Sequence, residues 1–413
     1  MKRIAIVVAA VLLAFLALSV FAYLQVKAAF AVDPPLAGYT EASEPEALAI
    51  GKVLVDCFES RDPVQLNETF DLDAFARQVA EPFALSRRNR EALVEGLRSG
   101  FNKATGGKGI GQIVLATPED TEAKILRARL RGDKREVIAR LRMSDGAMNY
   151  LGLIVMRDPS GKPRVVDWFN YLAGELGHVT MSNVAEALTP AKTAPLQRLA
   201  EQLVAPGGKK KGAAAKEAGP LLAEVGKALR EGKHAEALKK WKELPEPIRM
   251  TRGALLLRLQ MGQGLGESEY QDALKAIAER FPNDPSLALA LVDRHMAVKD
   301  YAAVLADLDA VERAVGGDPY LAAMRAPSLS ALGKHAEAKA GLAKAMEAEP
   351  TLVDLWWSAI AVALEQKDHG EVLRLLVEVE SKFDLELGDL QDLPDYADFV
   401  RSKEYETFQA RFE

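Results

Sequence analysis

The chain has 413 residues, nearly half of them apolar, a formal net charge of −6 and one cysteine, Cys57. That length and apolar content support two or three domains with sizeable cores, and the mildly acidic balance argues against a nucleic-acid binder. One cysteine excludes an intramolecular disulfide and a cysteine zinc site, and its apolar flanks make Cys57 a small buried hydrophobe.

Residues 4–24 are uncharged. At about 1.5 Å per residue they reach about 31 Å, enough to cross a hydrocarbon core of about 30 Å. Lys2 and Arg3 precede the run, while Asp33, Glu41, Glu44 and Glu46 follow Lys27. The positive-inside rule then places the N-terminus in the cytoplasm and the bulk outside it, periplasmic in a bacterium. Residues 1–31 are thus expected to be a single-pass membrane anchor. The second reading is a cleaved signal peptide, since Ala29-Phe30-Ala31 has a small-x-small form. The apolar run exceeds the roughly 7–15 residues of a signal peptide, which favours the anchor.

Residues 43–188 read as an α+β domain. Ser43-Glu44-Pro45-Glu46 is a capping box with proline in the first turn, opening a helix to about Glu59. Asp62-Pro63 starts a second helical stretch with Phe70, Leu72, Phe75 and Val79 on its apolar side, and Ser86 caps a third carrying Leu93, Leu97 and Phe101. The period then changes to that of strands over 110–117, 121–131, 136–144, 148–157 and 164–172, with Ser144-Asp145-Gly146-Ala147 a hairpin signal. Helices followed by an antiparallel meander imply helices packed on one sheet face.

That element order resembles the nuclear transport factor 2-like fold. The resemblance implies a pocket between helices and sheet, used by some members for proton transfer and by many only to bind. The candidate pocket residues are Asp167, Phe169 and Tyr171, which alternation places on one strand face. An acid beside aromatics suits a base with a raised pKa, although a hydrogen-bonded aspartate next to core aromatics explains the pattern with less. Within residues 121–142 eight Lys/Arg oppose three Asp/Glu, and Arg127, Arg129, Arg131, Arg140 and Arg142 share a face. They form a candidate docking face for anionic lipid or an acidic partner, against the plainer reading of cross-strand ion pairs. Asn67-Glu68-Thr69 matches a glycosylation acceptor.

Residues 205–218, rich in Gly, Ala and Lys, are expected to be a flexible linker. Beyond it, Gly232-Lys233-His234-Ala235-Glu236-Ala237 recurs letter for letter as Gly333-Lys334-His335-Ala336-Glu337-Ala338, 101 residues on. That is close to three units of about 34, the period of a helix–turn–helix solenoid. Degenerate copies follow the same step at Lys299-Asp300-Tyr301 and Lys367-Asp368-His369. With small residues at Ala237, Ala273 and Ala338, bulky ones at Trp241, Ile277, Leu308, Leu342 and Leu376, and Pro285, Pro319 and Pro350 at repeat ends, residues 219–413 resemble the tetratricopeptide repeat family. Trp356 falls at that family's first-helix tryptophan. The spacing predicts an enlarged turn around Gly262–Gly266, a kink at Pro327, and a last irregular repeat or capping helix over 387–412. His234, His335 and His369 occupy one slot in successive repeats, too far apart to share a metal ion, so they are turn-packing residues.

The resemblance implies a concave groove lined by first helices, into which Asp293, Tyr320, Trp357 and Glu365 would point, with Trp357 the strongest anchor. The fold class expected is therefore multidomain: an N-terminal transmembrane helix, an α+β domain, then an all-α helix–turn–helix solenoid. The expected function is a membrane-anchored extracytoplasmic scaffold, held in the membrane by residues 4–24, that binds a protein or peptide through its repeats. Two other readings stand beside it: a small-ligand carrier or enzyme using the α+β pocket, and an oligomerisation module of an envelope assembly. No phosphate loop, metal-spaced cluster or nucleophile elbow occurs, so no cofactor, metal or catalytic residue is assigned.

Overall fold

The computed structural model describes residues 34–411 apart from 84, 105–108, 110, 116–118, 144–145, 189–220, 222–223, 230 and 283. Among the described residues no helix is long and apolar enough to cross a membrane. The expectation of a single-pass membrane protein with an extracytoplasmic bulk is corrected accordingly: the architecture is an α+β region followed by an all-helical half. The longest described helix, with 18 residues, carries seven Lys, Arg and Glu and suits a water-facing surface. The apolar run at 4–24, the cleavage-type site at 29–31 and the linker at 205–218 lie outside the described residues. Two compact units divide between Leu265 and Gly266.

In the first unit, β1 (Thr40–Glu41) leads into α1 (Glu44–Ser60). The Ser43 backbone N–H donates to Glu46 at 2.8 Å, closing the capping box, and Arg157 of the sheet reaches the same carboxylate at 2.8 Å. Those bonds, Arg157 first and Ser43 second, pull the Glu46 carboxyl down to about 2. Ala47, Ile50, Gly51, Leu54, Cys57 and Phe58 form the buried stripe, spaced at three and four residues as one face of a helix requires. At Gly51 the helix lies so close to the sheet that a Cβ would come within 2.8 Å of Val137.

The second helical stretch is two helices, α2 (Val64–Thr69) and α3 (Leu72–Ala80). Between them Phe70 is extended and bridges Val165 of the sheet, and Asp71 caps α3 by accepting from Ala74 N at 2.8 Å. Asn67 of the glycosylation-type motif sits on α2, its Oδ1 accepting from Gly111 N at 2.7 Å. Helix α4 (Arg87–Ala104) follows Ser86. Then comes α5 (Gly111–Val114), one helical turn where a strand over 110–117 was expected; residues 110 and 116–118 lie outside the described ones.

Strands β2 (Glu122–Arg131), β3 (Lys134–Arg142), β4 (Met148–Arg157), β5 (Pro163–Asn170) and β6 (Glu175–Leu176) form an antiparallel meander, with β1 paired to the end of β4. On one face Val137, Ala139, Leu141, Leu151, Leu153, Val155 and Val165 pack under Ile50, Leu54, Phe75 and Val79. Fully burying each of the Val, Leu, Ile and Phe side chains among them is worth about 1.5–3 kcal/mol. Two register shifts decide what lies on the other face. One, between Ile125 and Arg127, leaves Leu126 as an extra residue; the other leaves Val166 extra, so that Ile154 pairs with Asp167 while Val155 pairs with Val165. The Val166 bulge thus keeps Val165 and Trp168 towards the apolar core and turns Asp167 away from it. Trp168 stacks on Phe75 with centroids 4.7 Å apart.

Helix α6 (Gly177–Leu188) abuts the sheet at Gly177, where a Cβ would be 2.3 Å from the Trp168 ring. Beyond residue 230, α7 (His234–Glu243), α8 (Glu246–Arg249) and α9 (Arg252–Leu265) follow. Trp241 is buried between α7 and α9, its Nε1 donating to Ala254 O at 2.8 Å. Arg252 donates to the carbonyls of Ala173 and Gly174 at 3.2 and 3.1 Å, fastening α9 to the turn after β5. The enlarged turn expected at Gly262–Gly266 is absent: helix α9 continues to Leu265, and Gly266 alone, at φ 114°, makes the break.

The second unit comprises α10 (Glu267–Arg280), α11 (Ala288–Ala297), α12 (Tyr301–Val315), α13 (Tyr320–Ala331), α14 (His335–Ala348), α15 (Val353–Glu365), α16 (His369–Phe383) and α17 (Lys403–Gln409). Helices α11 and α12, α13 and α14, and α15 and α16 pack as pairs, and α13 also packs on α15. Pro327 lies inside α13. Helix α17 packs on α16 and closes the end with buried Phe399, Tyr405 and Phe408.

One turn geometry recurs at the hexapeptide and its copies. Gly232, Lys299, Gly333 and Lys367 all take the left-handed conformation, at φ 68°, 59°, 72° and 54°. In each turn the following residue donates back to a carbonyl five residues earlier: Lys233 to Ala228, Asp300 to His295, Lys334 to Leu329 and Asp368 to Ala363. This is a Schellman stop followed at once by a helix start. Where lysine replaces glycine in the left-handed slot, aspartate follows and caps the next helix: Asp300 accepts from Ala303 N and Asp368 from Glu371 N. Where glycine is present the following residue is Lys233 or Lys334, with no side-chain cap. The added cap offsets the cost of placing a side-chain-bearing residue at positive φ.

Candidate functional site

The other face of the sheet carries polar groups on β2, β3 and β5, in a row crossed on β4 by the apolar Ile154, because Arg129 pairs with Glu136, Glu136 with Ile154 and Ile154 with Asp167. Glu136 is fully buried. Arg129 and Arg131 approach its carboxylate at 3.0 and 2.7 Å, and the Tyr171 hydroxyl donates to it at 3.0 Å. Burial, and next the Glu136 charge, push the Tyr171 phenol well above its ordinary range. Arg131 also lies 3.9 Å over the Phe169 ring. Gly152 faces this cluster, and a Cβ there would meet Glu136 Oε1 at 2.3 Å.

Asp167 is also buried, and both of its oxygens are engaged. Oδ1 accepts from the backbone N–H groups of Trp168 and His178 at 2.8 and 3.1 Å, and Oδ2 faces His178 Nδ1 at 2.5 Å. Asp167 therefore anchors the first turn of α6 to β5. Asp167, Phe169 and Tyr171 lie on one face, yet each is held by a neighbour: His178, Arg131 and Glu136 respectively. Both Asp167 oxygens being taken, the carboxylate is not presented as an open base.

The five arginines of the basic face share that side of the hairpin but do not form an exposed patch. Arg140 is 4% exposed, Arg129 and Arg131 converge on Glu136, and Arg142 pairs with Glu122 at 2.6 Å. Arg127 is half-buried. The cross-strand register that pairs Glu122 with Arg142 and Arg129 with Glu136 makes most of these charges internal to the hairpin.

In the second unit, successive first helices repeat their exposure at intervals of about 34 residues. Asp293, Pro327 and Ala361 are exposed, and so are Ala297, Ala331 and Glu365, on α11, α13 and α15. Asp293 accepts from the Tyr270 hydroxyl of α10 at 2.6 Å. Trp357 is half-buried beside this ladder, whereas its neighbour Trp356 is a core residue, donating to Pro350 O at 3.2 Å with Lys382 4.8 Å above its ring. The expectation for Tyr320 is corrected: it is 5% exposed at the start of α13 and offers no groove surface. It is the first residue of the helix and belongs to the buried core of the unit.

The repeat histidines have separate neighbours. The ring of His234 packs on Gly264, His335 Nδ1 lies 3.2 Å from Ser330 Oγ, and His369 meets Phe399 edge-on at 6.0 Å. Sequence reasoning missed His295, whose Nδ1 is 2.6 Å from Asp307 Oδ2, joining α11 to α12. It also missed Glu136, although counting back from the Gly132-Asp133 turn places Glu136 opposite Arg129. The pairing of His178 with Asp167 crosses a turn of irregular length and leaves no such signal.

No family model and no curated protein matches the chain. Among solved structures, the crystal structure of MamA protein is matched at 13% identity and a TM-score of 0.32, over 41% of this chain and 96% of that one.

Proposed function

We propose that the helix pairs of residues 266–413 bind a basic protein or peptide segment along the exposed face of α11, α13 and α15. The observation that carries this is the ladder at Asp293, Pro327 and Ala361 and at Ala297, Ala331 and Glu365, which repeats solvent exposure on successive first helices. Small side chains there let a partner's backbone approach, the two acids stand at its ends, and Trp357 supplies a flat anchor of the kind that concentrates binding energy. The sign of the partner follows from charge: residues 266–413 hold twenty-nine Asp/Glu against fifteen Lys/Arg. A field of that sign raises the encounter rate of a cationic segment.

The test is photo-crosslinking in the full chain, with a benzophenone amino acid replacing Trp357, and a control replacing exposed Lys344 on α14. The reading expects a discrete adduct from position 357, none from 344, and loss of the adduct on Asp293→Lys with Glu365→Lys. Equal adducts from both positions, or an adduct indifferent to charge reversal, would remove the proposal. A carrier or catalytic role for the α+β region has weaker support, because Asp167 and Tyr171 are already engaged with His178 and Glu136.

A further inference from the structure

Strand β2 is the edge of the sheet. Among the described residues it pairs with β3 and with no other strand, and no loop backbone bonds to Ala128–Arg131 from the outer side. An open edge offers a row of N–H and C=O groups that templates a further strand. The side chains on this stretch differ by face. Arg129 and Arg131 share the single carboxylate of Glu136, so that face keeps a net positive charge, and the two arginine side chains remain 32% and 36% exposed. On the other face Ala128 lies against the core and Leu130 is 53% exposed, an apolar side chain left over at the end of the strand.

A second copy of β2 fits this edge poorly, because antiparallel self-pairing sets arginine against arginine, and like charges directly opposite are destabilising. A strand that alternates carboxylates with apolar side chains fits both faces at once. Its acids would stand beside Arg129 and Arg131 and its apolar groups beside Leu130. We propose that the outer edge of β2 at Ala128–Arg131 accepts, by strand addition, an extended peptide alternating acidic and apolar residues. This site is separate from the helical ladder and takes a partner segment of opposite charge.

The experiment uses the full chain and a fluorescent octapeptide alternating glutamate with valine, followed by anisotropy. Two further versions carry N-methyl groups on either the glutamates or the valines. Only one set of amides faces β2, so one version is expected to bind at least about tenfold more weakly while the other stays close to the unmodified peptide. Hydrogen exchange should slow at residues 128–131 on binding. A lysine–valine peptide should not bind. Failure of the unmodified peptide to bind overturns the proposal, as does equal binding of both N-methylated versions, which would mean association by charge alone. Self-association of the full chain that the peptide competes away would assign the edge to a second copy and overturn it as well.

Discussion

Replacing Glu136 by glutamine tests whether a buried carboxylate holds the β2–β3 hairpin in register. The native group is fully buried and receives three bonds, from Arg129, Arg131 and the Tyr171 hydroxyl. Removing one partner of a dry ion pair costs about 3–5 kcal/mol. Here the two arginine side chains are 32% and 36% exposed and regain water, so the lower figure of about 2–3 kcal/mol applies. In a unit of roughly 150–250 residues that lowers the melting temperature by about 4–12 °C. Hydrogen exchange on fragments covering 122–142 reads the loss locally and separates it from the helical unit. Gly152→Ala should act in the same direction, since its Cβ would meet Glu136 Oε1 at 2.3 Å and three partners hold that carboxylate in place. If Glu136→Gln leaves exchange in the hairpin within about 0.5 kcal/mol of the native protein, the carboxylate is not what binds these strands.

Glu46 provides a pH prediction. Its folded pKa of about 2 lies below the ordinary 4.5, so its contribution is complete above the ordinary value and is lost as pH falls towards 2. Acid unfolding of wild type should show this component, and Glu46→Gln should remove it. Cys57, whose thiol burial pushes up to about 11, should resist thiol reagents at neutral pH until the first unit unfolds, as mass spectrometry of the labelled protein would show. Trp356→Ala should destabilise the second unit by about 3–5 kcal/mol in urea, whereas Trp357→Ala should cost about 1 kcal/mol or less and chiefly weaken binding. Lys299→Gly should stabilise the same unit by about 1 kcal/mol by relieving a lysine held at φ 59°, and Asp300→Ala should cost about 1 kcal/mol.

The elements most legible in the sequence are those set by local chemistry. Ser43 and Glu46 mark the start of α1 because both groups of the capping box lie within one turn. The hexapeptide turns are legible for the same reason: one left-handed residue and one helix start recur at fixed spacing. What escaped depends on partners distant in the chain. Residues 110–117 have the composition of a strand, yet Gly111 is held by Asn67, and a helical turn forms over Gly111–Val114. Phe70 interrupts an apparently continuous helix because it bridges Val165. The bulge at Val166, which sends Asp167 to the polar face, adds a single residue to one strand and leaves no mark in the composition. At the helical ladder, the period identifies which positions correspond, but not which are enclosed: Tyr320 is buried and Glu365 exposed.

If the exposed faces of α11, α13 and α15 recognise a cationic segment, charge reversal on those faces weakens its binding, and an affinity comparison reads this. A labelled basic segment recovered by crosslinking at position 357 would be titrated with the native chain, with Asp293→Lys combined with Glu365→Lys, and with Glu347→Lys on α14 as an equally exposed control. At least about tenfold weaker binding is expected for the ladder double variant, with the control within about threefold of native after its smaller charge change. Equal losses per reversed charge in the ladder and in the control would contradict it, since only the overall acidity of the unit, and no particular face, would then be recognised.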